Sequence, residues 1–194
     1  MSDQTLHSPV DRFKAAAELA AATVDVIPCD PESVNAAILR AASGDDCILL
    51  SEPDDLDPAL FSVFRLNSRV VTHPVPDQFR TIPIGVTDAF CAVAATGSVC
   101  VTMSSGLTSP ASMLTRRHIV LVDERSIVER PRDVFSEELG KKGGLQRSFS
   151  FITGPSATAD MGPLVRGVHG PGALHIIILA QNNHTLQNLE SRNE

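Results

Sequence analysis

The stretch Ser150–Leu179, SFITGPSATADMGPLVRGVHGPGALHIIIL, organises the chain. It opens as a strand, breaks at Gly154-Pro155, and closes in the apolar strand Ala173–Leu179. Between the two buried runs lie small and polar residues, with Ser156, Thr158 and Asp160 where a helix is expected to begin. A second Gly/Pro-rich turn carries His169. A strand that turns through Gly-Pro into a helix exposes unpaired backbone N–H groups, and these with the helix dipole attract anions. Ser156 and Thr158 add hydroxyl donors. Asp160, in the first helical turn, already supplies negative charge to that dipole, so a second anion there is repelled. The alternative is a helix cap made by Ser156 or Thr158, and caps of this kind are common. His169 stands between Gly167 and Gly170-Pro171, where glycine permits close approach of backbone or ligand. It is a candidate general acid/base, a donor to a substrate carboxylate, or a structural ring pinning the turn.

Outside this stretch, the opening half alternates helix and strand. Helices are predicted over Val10–Ala22, Pro31–Ala42 and Pro58–Leu66, with strands at Val24–Ile27, Cys47–Leu50 and Arg69–Thr72. Asp30 followed by Pro31 is a cap with proline at the first helical position. This alternation is that of a parallel sheet covered by helices. The middle carries three apolar runs, Thr81–Val86, Cys91–Ala95 and Ser98–Met103, whose short breaks predict some antiparallel pairing. His118–Val122 reads as a strand, Ser126–Leu139 as a charged helix closed by Gly140–Gly144. The fold class expected is α/β, an open mixed, largely parallel sheet with flanking helices. Residues 1–9 are expected to be a flexible lead-in, 10–180 a single domain, and 181–194 a polar tail.

Composition narrows the function classes. Aromatic residues make up only 4%, with no Trp or Tyr, so the core must rest on aliphatics and eight Phe. The net charge of −7 and the absence of a Lys/Arg cluster argue against a nucleic-acid binder. No run is long enough for a transmembrane helix, and the first residues lack the apolar core of a signal peptide, so the chain is expected to be cytoplasmic. Cys29, Cys47, Cys91 and Cys100 form no C-x-x-C pair. They suggest neither disulfide staples, nor a zinc site, nor an iron–sulfur site. No metal site is expected.

A second hydroxyl- and glycine-rich edge runs through Ala95-Thr96-Gly97-Ser98, Thr102, Ser104, Ser105 and Gly106. In open α/β sheets ligands sit at the carboxyl ends of strands, so this edge and the Ser156/His169 segment would form a pocket if they share that end. Arg116 and Arg117 beside His118 either bind an anionic group or are a solvated pair. His175 reads as a packed or edge residue. No Walker loop, dinucleotide fingerprint or nucleophile elbow is present.

Several motifs together resemble the lactate-utilization (LUD) domain family. They are Gly85-Val86-Thr87, Ala92–Ser98, Leu114 with His118-Ile119-Val120, Ile152–Ser156 with Ala159-Asp160, and Gly167–Pro171. The resemblance implies a fold similar to the sugar-phosphate isomerase and CoA-transferase superfamily, with a polar site at strand ends. It implies work beside iron–sulfur partner subunits that oxidise L-lactate to pyruvate. The resemblance implies clusters on the partners, no cofactor bound by this chain, and a small anionic ligand. The alternative is a binding protein or enzyme of the isomerase/transferase type, acting on a carboxylate, sugar phosphate or CoA ester. The ligand-binding set it implies is Thr87, Thr96, Gly97, Gly154, Ser156, Thr158, Asp160 and His169. The sequence departs from the family pattern at Ala95, where a glutamate is common, at Asp88 and Phe90, and at Ala157. Related superfamily enzymes use a glutamate on a comparable turn as nucleophile, and Ala95 cannot serve so. The expected arrangement places Ser156 and His169 across one pocket from the Thr96-Gly97 turn.

Overall fold

A computed structural model describes residues 8–44, 46–103, 106–136, 148–160 and 162–181. The predicted lead-in therefore falls largely outside the described residues. So do the tail beyond Gln181, the Gly140–Gly144 helix end, Ser104 and Ser105.

Helix α1 (Pro9–Leu19) begins where the Ser8 side chain accepts the Asp11 N–H at 3.0 Å, with Pro9 in the first turn. It buries Phe13 and Ala17, four residues apart on one face. Strand β1 (Thr23–Pro28) follows, then α2 (Pro31–Ala42), capped as expected by Asp30, which accepts the Ser33 N–H at 2.8 Å. That bond holds the half-buried Asp30 carboxyl below its usual pKa. Next come β2 (Ile48–Leu50), a 3-10 turn at Pro58–Phe61, the single-turn helix α3 (Ser62–Arg65) and β3 (Val70–Val71). The chain continues through β4 (Ile84–Ala89), β5 (Cys91–Val93), β6 (Ser98–Thr102), α4 (Thr108–Met113) and β7 (Arg117–Asp123). The last elements are β8 (Ile127–Val128), β9 (Phe149–Ile152), β10 (Ala157–Thr158), β11 (Val165–Arg166) and β12 (Ala173–Ala180).

Six strands form the main sheet in the order β1-β12-β7-β4-β2-β3, and all its pairings are parallel. A second sheet has the order β8-β5-β6-β9, with β5, β6 and β9 antiparallel to one another in turn. The expected α/β class with a largely parallel sheet and flanking helices holds. Along β7, Ile119 and Leu121 join the core under α2 and α3, while Val120 and Val122 join the core under α1 and the small sheet. In β12, Ile177 and Leu179 face one way, Ile176 and Ile178 the other. Both faces are covered, which is why these strands read as unbroken apolar runs.

Two predicted helices do not form. Ser126–Leu139 is instead β8 followed by a 3-10 turn at Pro131–Phe135, and the last residues of that range lie outside the described set. The β-branched pair Ile127-Val128 lies alongside Ala92-Val93, and Pro131 disfavours helical backbone in the residue before it. No helix begins at Ser156 either. Residues 157–166 form the antiparallel pair β10–β11. Gly154, Pro155, Gly162, Pro163 and Gly167 interrupt this segment too often for a helix to propagate.

Asp88 is a buried carboxylate in β4 that accepts the backbone N–H groups of Asp54, Asp55 and Leu56 at 3.2, 2.7 and 2.8 Å. Burial raises its pKa above the ordinary carboxylate value, and the three N–H donors oppose that rise. It ties the loop after β2 to the sheet. Asp88→Asn presents an NH2 group to those donors, and is expected to cost about 2 kcal/mol, read as a lower urea midpoint. An unchanged midpoint would show that the loop does not depend on the carboxylate.

Candidate functional site

Strand β9 ends at Ile152, and Gly154 then turns the chain with φ of 68°. Gly154 is buried where a Cβ would strike the Ala20 carbonyl at the end of α1. The Ser156 N–H donates to the Pro171 carbonyl at 2.9 Å, and the Ser156 carbonyl accepts the Gly167 N–H at 2.9 Å. The Gly172 N–H donates to the Arg116 carbonyl at 2.9 Å. These bonds lay the two Gly/Pro turns side by side and fasten them to the start of β7. Between them, β9 and α4 lies a pocket of about 300 Å3. Its lining includes Ser156, His169, Gly154, Thr153, Ser112 and His118.

His118 is the residue that spacing alone missed. It is second in β7, and Leu174, also on the lining, is second in β12. The pocket therefore abuts the amino ends of these strands, not the carboxyl ends expected from open α/β sheets. His118 is 1% exposed, and its Nε2 lies 2.8 Å from the Oγ1 of Thr87, which is fully buried. Burial pushes its pKa down to about 3, so the ring is neutral across the physiological range. The available signal was a histidine at the head of a strand otherwise apolar on both faces.

The resemblance-derived residues divide into groups. Gly154, Ser156 and His169 line the pocket. Thr87 stands behind it, holding His118. Thr158 is in β10, and Asp160 is exposed just beyond it, where its N–H donates weakly to the Thr158 Oγ1 at 3.4 Å. With no helix there, neither is a cap and Asp160 complements no dipole. Thr96 and Gly97 are not on the lining. Thr96 is linked to it by hydroxyls: Thr96 Oγ1 is 2.7 Å from Ser98 Oγ, which is 2.7 Å from Thr153 Oγ1. Gly97 is buried against the backbone of Ala16 and Ala17 in α1, a packing role.

The arginine pair also separates. The Arg117 guanidinium donates to the carbonyls of Ala41 and Ala42 and to Ser43 Oγ, capping the C-terminus of α2. His175 is packed at the β1–β12 pairing, with Nδ1 2.7 Å from Thr23 Oγ1. Cys91 and Cys100 oppose each other across β5 and β6, buried, while Cys29 and Cys47 lie elsewhere. Among the described residues no group of three or more His, Cys, Asp or Glu could hold a metal ion.

The model of the LUD domain matches residues 56–179. The chain belongs to the LUD domain family. Every residue lining the pocket falls inside the matched LUD segment. Lactate utilization protein C of Shouchella clausii (strain KSM-K16) is 31% identical over 106 residues, 53% of this chain and 46% of the relative. Lactate utilization protein C of Bacillus subtilis (strain 168) is 32% identical over 92 residues, 45% of this chain and 38% of the relative. The alignments thus span less than half the length of these curated relatives. A DUF162 family protein from Deinococcus radiodurans superposes with a TM-score of 0.63, covering 88% of this chain and 96% of that one at 17% identity. That likeness shows that the two proteins share the α/β fold. Among the described residues no helix is long and apolar enough to cross a membrane.

Proposed function

We propose that this LUD domain protein serves lactate utilisation in the cytoplasm as an accessory subunit of an iron–sulfur complex that oxidises L-lactate to pyruvate. The supporting observation is that the LUD segment shared with the family contains the whole pocket. The names of the two curated relatives point to the same process. In this reading the clusters sit on partner subunits, and this chain contributes a small-ligand site built from Ser156, His169 and His118. The test is co-expression of the tagged chain with the Cys-rich iron–sulfur proteins encoded in the same genome. The three are expected to elute together on size exclusion, with lactate-dependent dye reduction above that of the partners alone. Separate elution with undiminished lactate oxidation by the partners would overturn the reading.

The pocket itself favours a second reading, a binding protein or enzyme acting on a carboxylate, sugar phosphate or CoA ester without partners. Its volume of about 300 Å3 is at the lower end of small-molecule sites. Thermal stabilisation of the isolated chain by such a compound, together with turnover in the absence of partners, distinguishes it.

A further inference from the structure

The pocket carries an unusual polar balance. Among the described residues its lining contains no Asp, Glu, Lys or Arg. The hydroxyl of Ser112 is already committed to the Thr108 carbonyl at 2.7 Å, and that of Thr153 to Ser98. Four polar side chains of the lining keep an atom without a hydrogen bond among the described residues: Ser150, Ser156, His169 and His118. The Nδ1 of His118 has no hydrogen-bond partner among the described residues, since only Nε2 is engaged, by Thr87. The Ser156 hydroxyl likewise has no partner among the described residues, although its backbone is fixed on both sides. A side chain that is 1% exposed, lines a cavity and is hydrogen-bonded at only one ring nitrogen among the described residues can take a partner from the cavity.

We propose that the pocket receives the uncharged, hydroxyl-bearing end of a small organic molecule, and that His118, held by Thr87, is the residue that reads the hydroxyl. The inference rests on the pocket being the ligand site of the proposed function, and it narrows what that site accepts. Charge decides the orientation. An anionic group placed against His118 would be buried beside a neutral ring with no counter-ion on the described lining, which costs several-fold more than burying a satisfied hydroxyl. A carboxylate or phosphate on the same molecule stays beside His169, which is exposed. Thr87 gives His118 latitude. A threonine hydroxyl can donate or accept, so either imidazole tautomer keeps the 2.8 Å bond and Nδ1 can take either role. A ligand hydroxyl, itself donor and acceptor, satisfies both. Ser156 supplies the second contact from the wall. His118 acts here as a binding residue.

The experiment uses the full chain labelled with 15N-histidine and long-range 1H–15N spectra, so no partner protein enters. Four probes are titrated separately: 1,2-propanediol, L-lactate, propionate and inorganic phosphate. The His118 Nδ1 resonance is expected to move with propanediol and lactate and to stay in place with propionate and phosphate. Thr87→Val, which keeps the shape of the strand residue, is expected to weaken the lactate response about tenfold. Ser156→Ala, on an irregular wall segment, is expected to weaken it while leaving the His118 tautomer of the free protein unchanged. Equal responses to propionate or phosphate, or no response to any probe, overturn the proposal. Because the measurement needs no partner, its failure is separable from a failure to associate with iron–sulfur proteins.

Discussion

Acidification from about pH 6.5 to about pH 4 is expected to destabilise the wild-type chain by about 3 kcal/mol more than the His118→Gln variant. The folded-state pKa of His118 is pushed by burial to about 3, against an ordinary value of 6.5. Between those values the unfolded chain binds the proton and the folded chain does not. Stability therefore falls as the pH drops below the unfolded value, and the loss is complete only below the folded one. The ring is 1% exposed, so solvent screening offers little relief. Other groups titrate in the same range. His175, also lowered by burial, adds a loss of the same sign. Asp88, whose pKa is raised by burial, regains stability as it protonates. Both remain in the variant, so the difference between the two proteins isolates His118. Urea midpoints at the two pH values measure it. Parallel losses in wild type and variant would falsify the picture of a buried neutral ring.

Gly97→Ala is expected to cost about 3 kcal/mol or more, the sum of backbone strain and a collision. Gly97 has φ of 64°, a conformation that costs a residue with a Cβ about 1 kcal/mol. An added Cβ would also fall on the backbone of Ala16 and Ala17, which cannot yield without shifting α1 from the small sheet. Gly44 is the control. Its φ is 72°, but a Cβ there meets nothing within 4 Å, so Gly44→Ala should show the conformational cost alone, about 1 kcal/mol. Equal losses in the two variants, by urea unfolding, would remove the close approach as an explanation. This contact also assigns the Thr96-Gly97 turn its part in the fold: it seats α1, and α1 in turn seats Gly154 at the edge of the pocket.

The site was half legible in the chain. The density of Gly and Pro around Ser156 and His169 marked the two turns, and the structure lays them against each other through the Ser156–Pro171 and Ser156–Gly167 bonds. The same density was misread for secondary structure, because Ser156, Thr158 and Asp160 mimic a helix start while Gly162 and Gly167 prevent one. Arg117 illustrates a different limit. Its neighbours suggested a pair with Arg116, yet its partners are the carbonyls of Ala41 and Ala42, some 75 positions away in the chain, at the end of α2. His118 shows the strongest limit, since its significance depends on Thr87 in a neighbouring strand.

What the amino-acid order determined by itself was local and periodic. The Asp30-Pro31 cap, the alternation of helix and strand, and the two-faced apolar runs of β7 and β12 follow from spacing and side-chain chemistry within a few residues. The parallel order β1-β12-β7-β4-β2-β3, the pocket at the amino ends of β7 and β12, and the His118 ring held there by Thr87 were decided only by tertiary structure. Each requires residues far apart in sequence to meet. Burial on both sheet faces and hydrogen bonding between separate strands are settled by the whole fold.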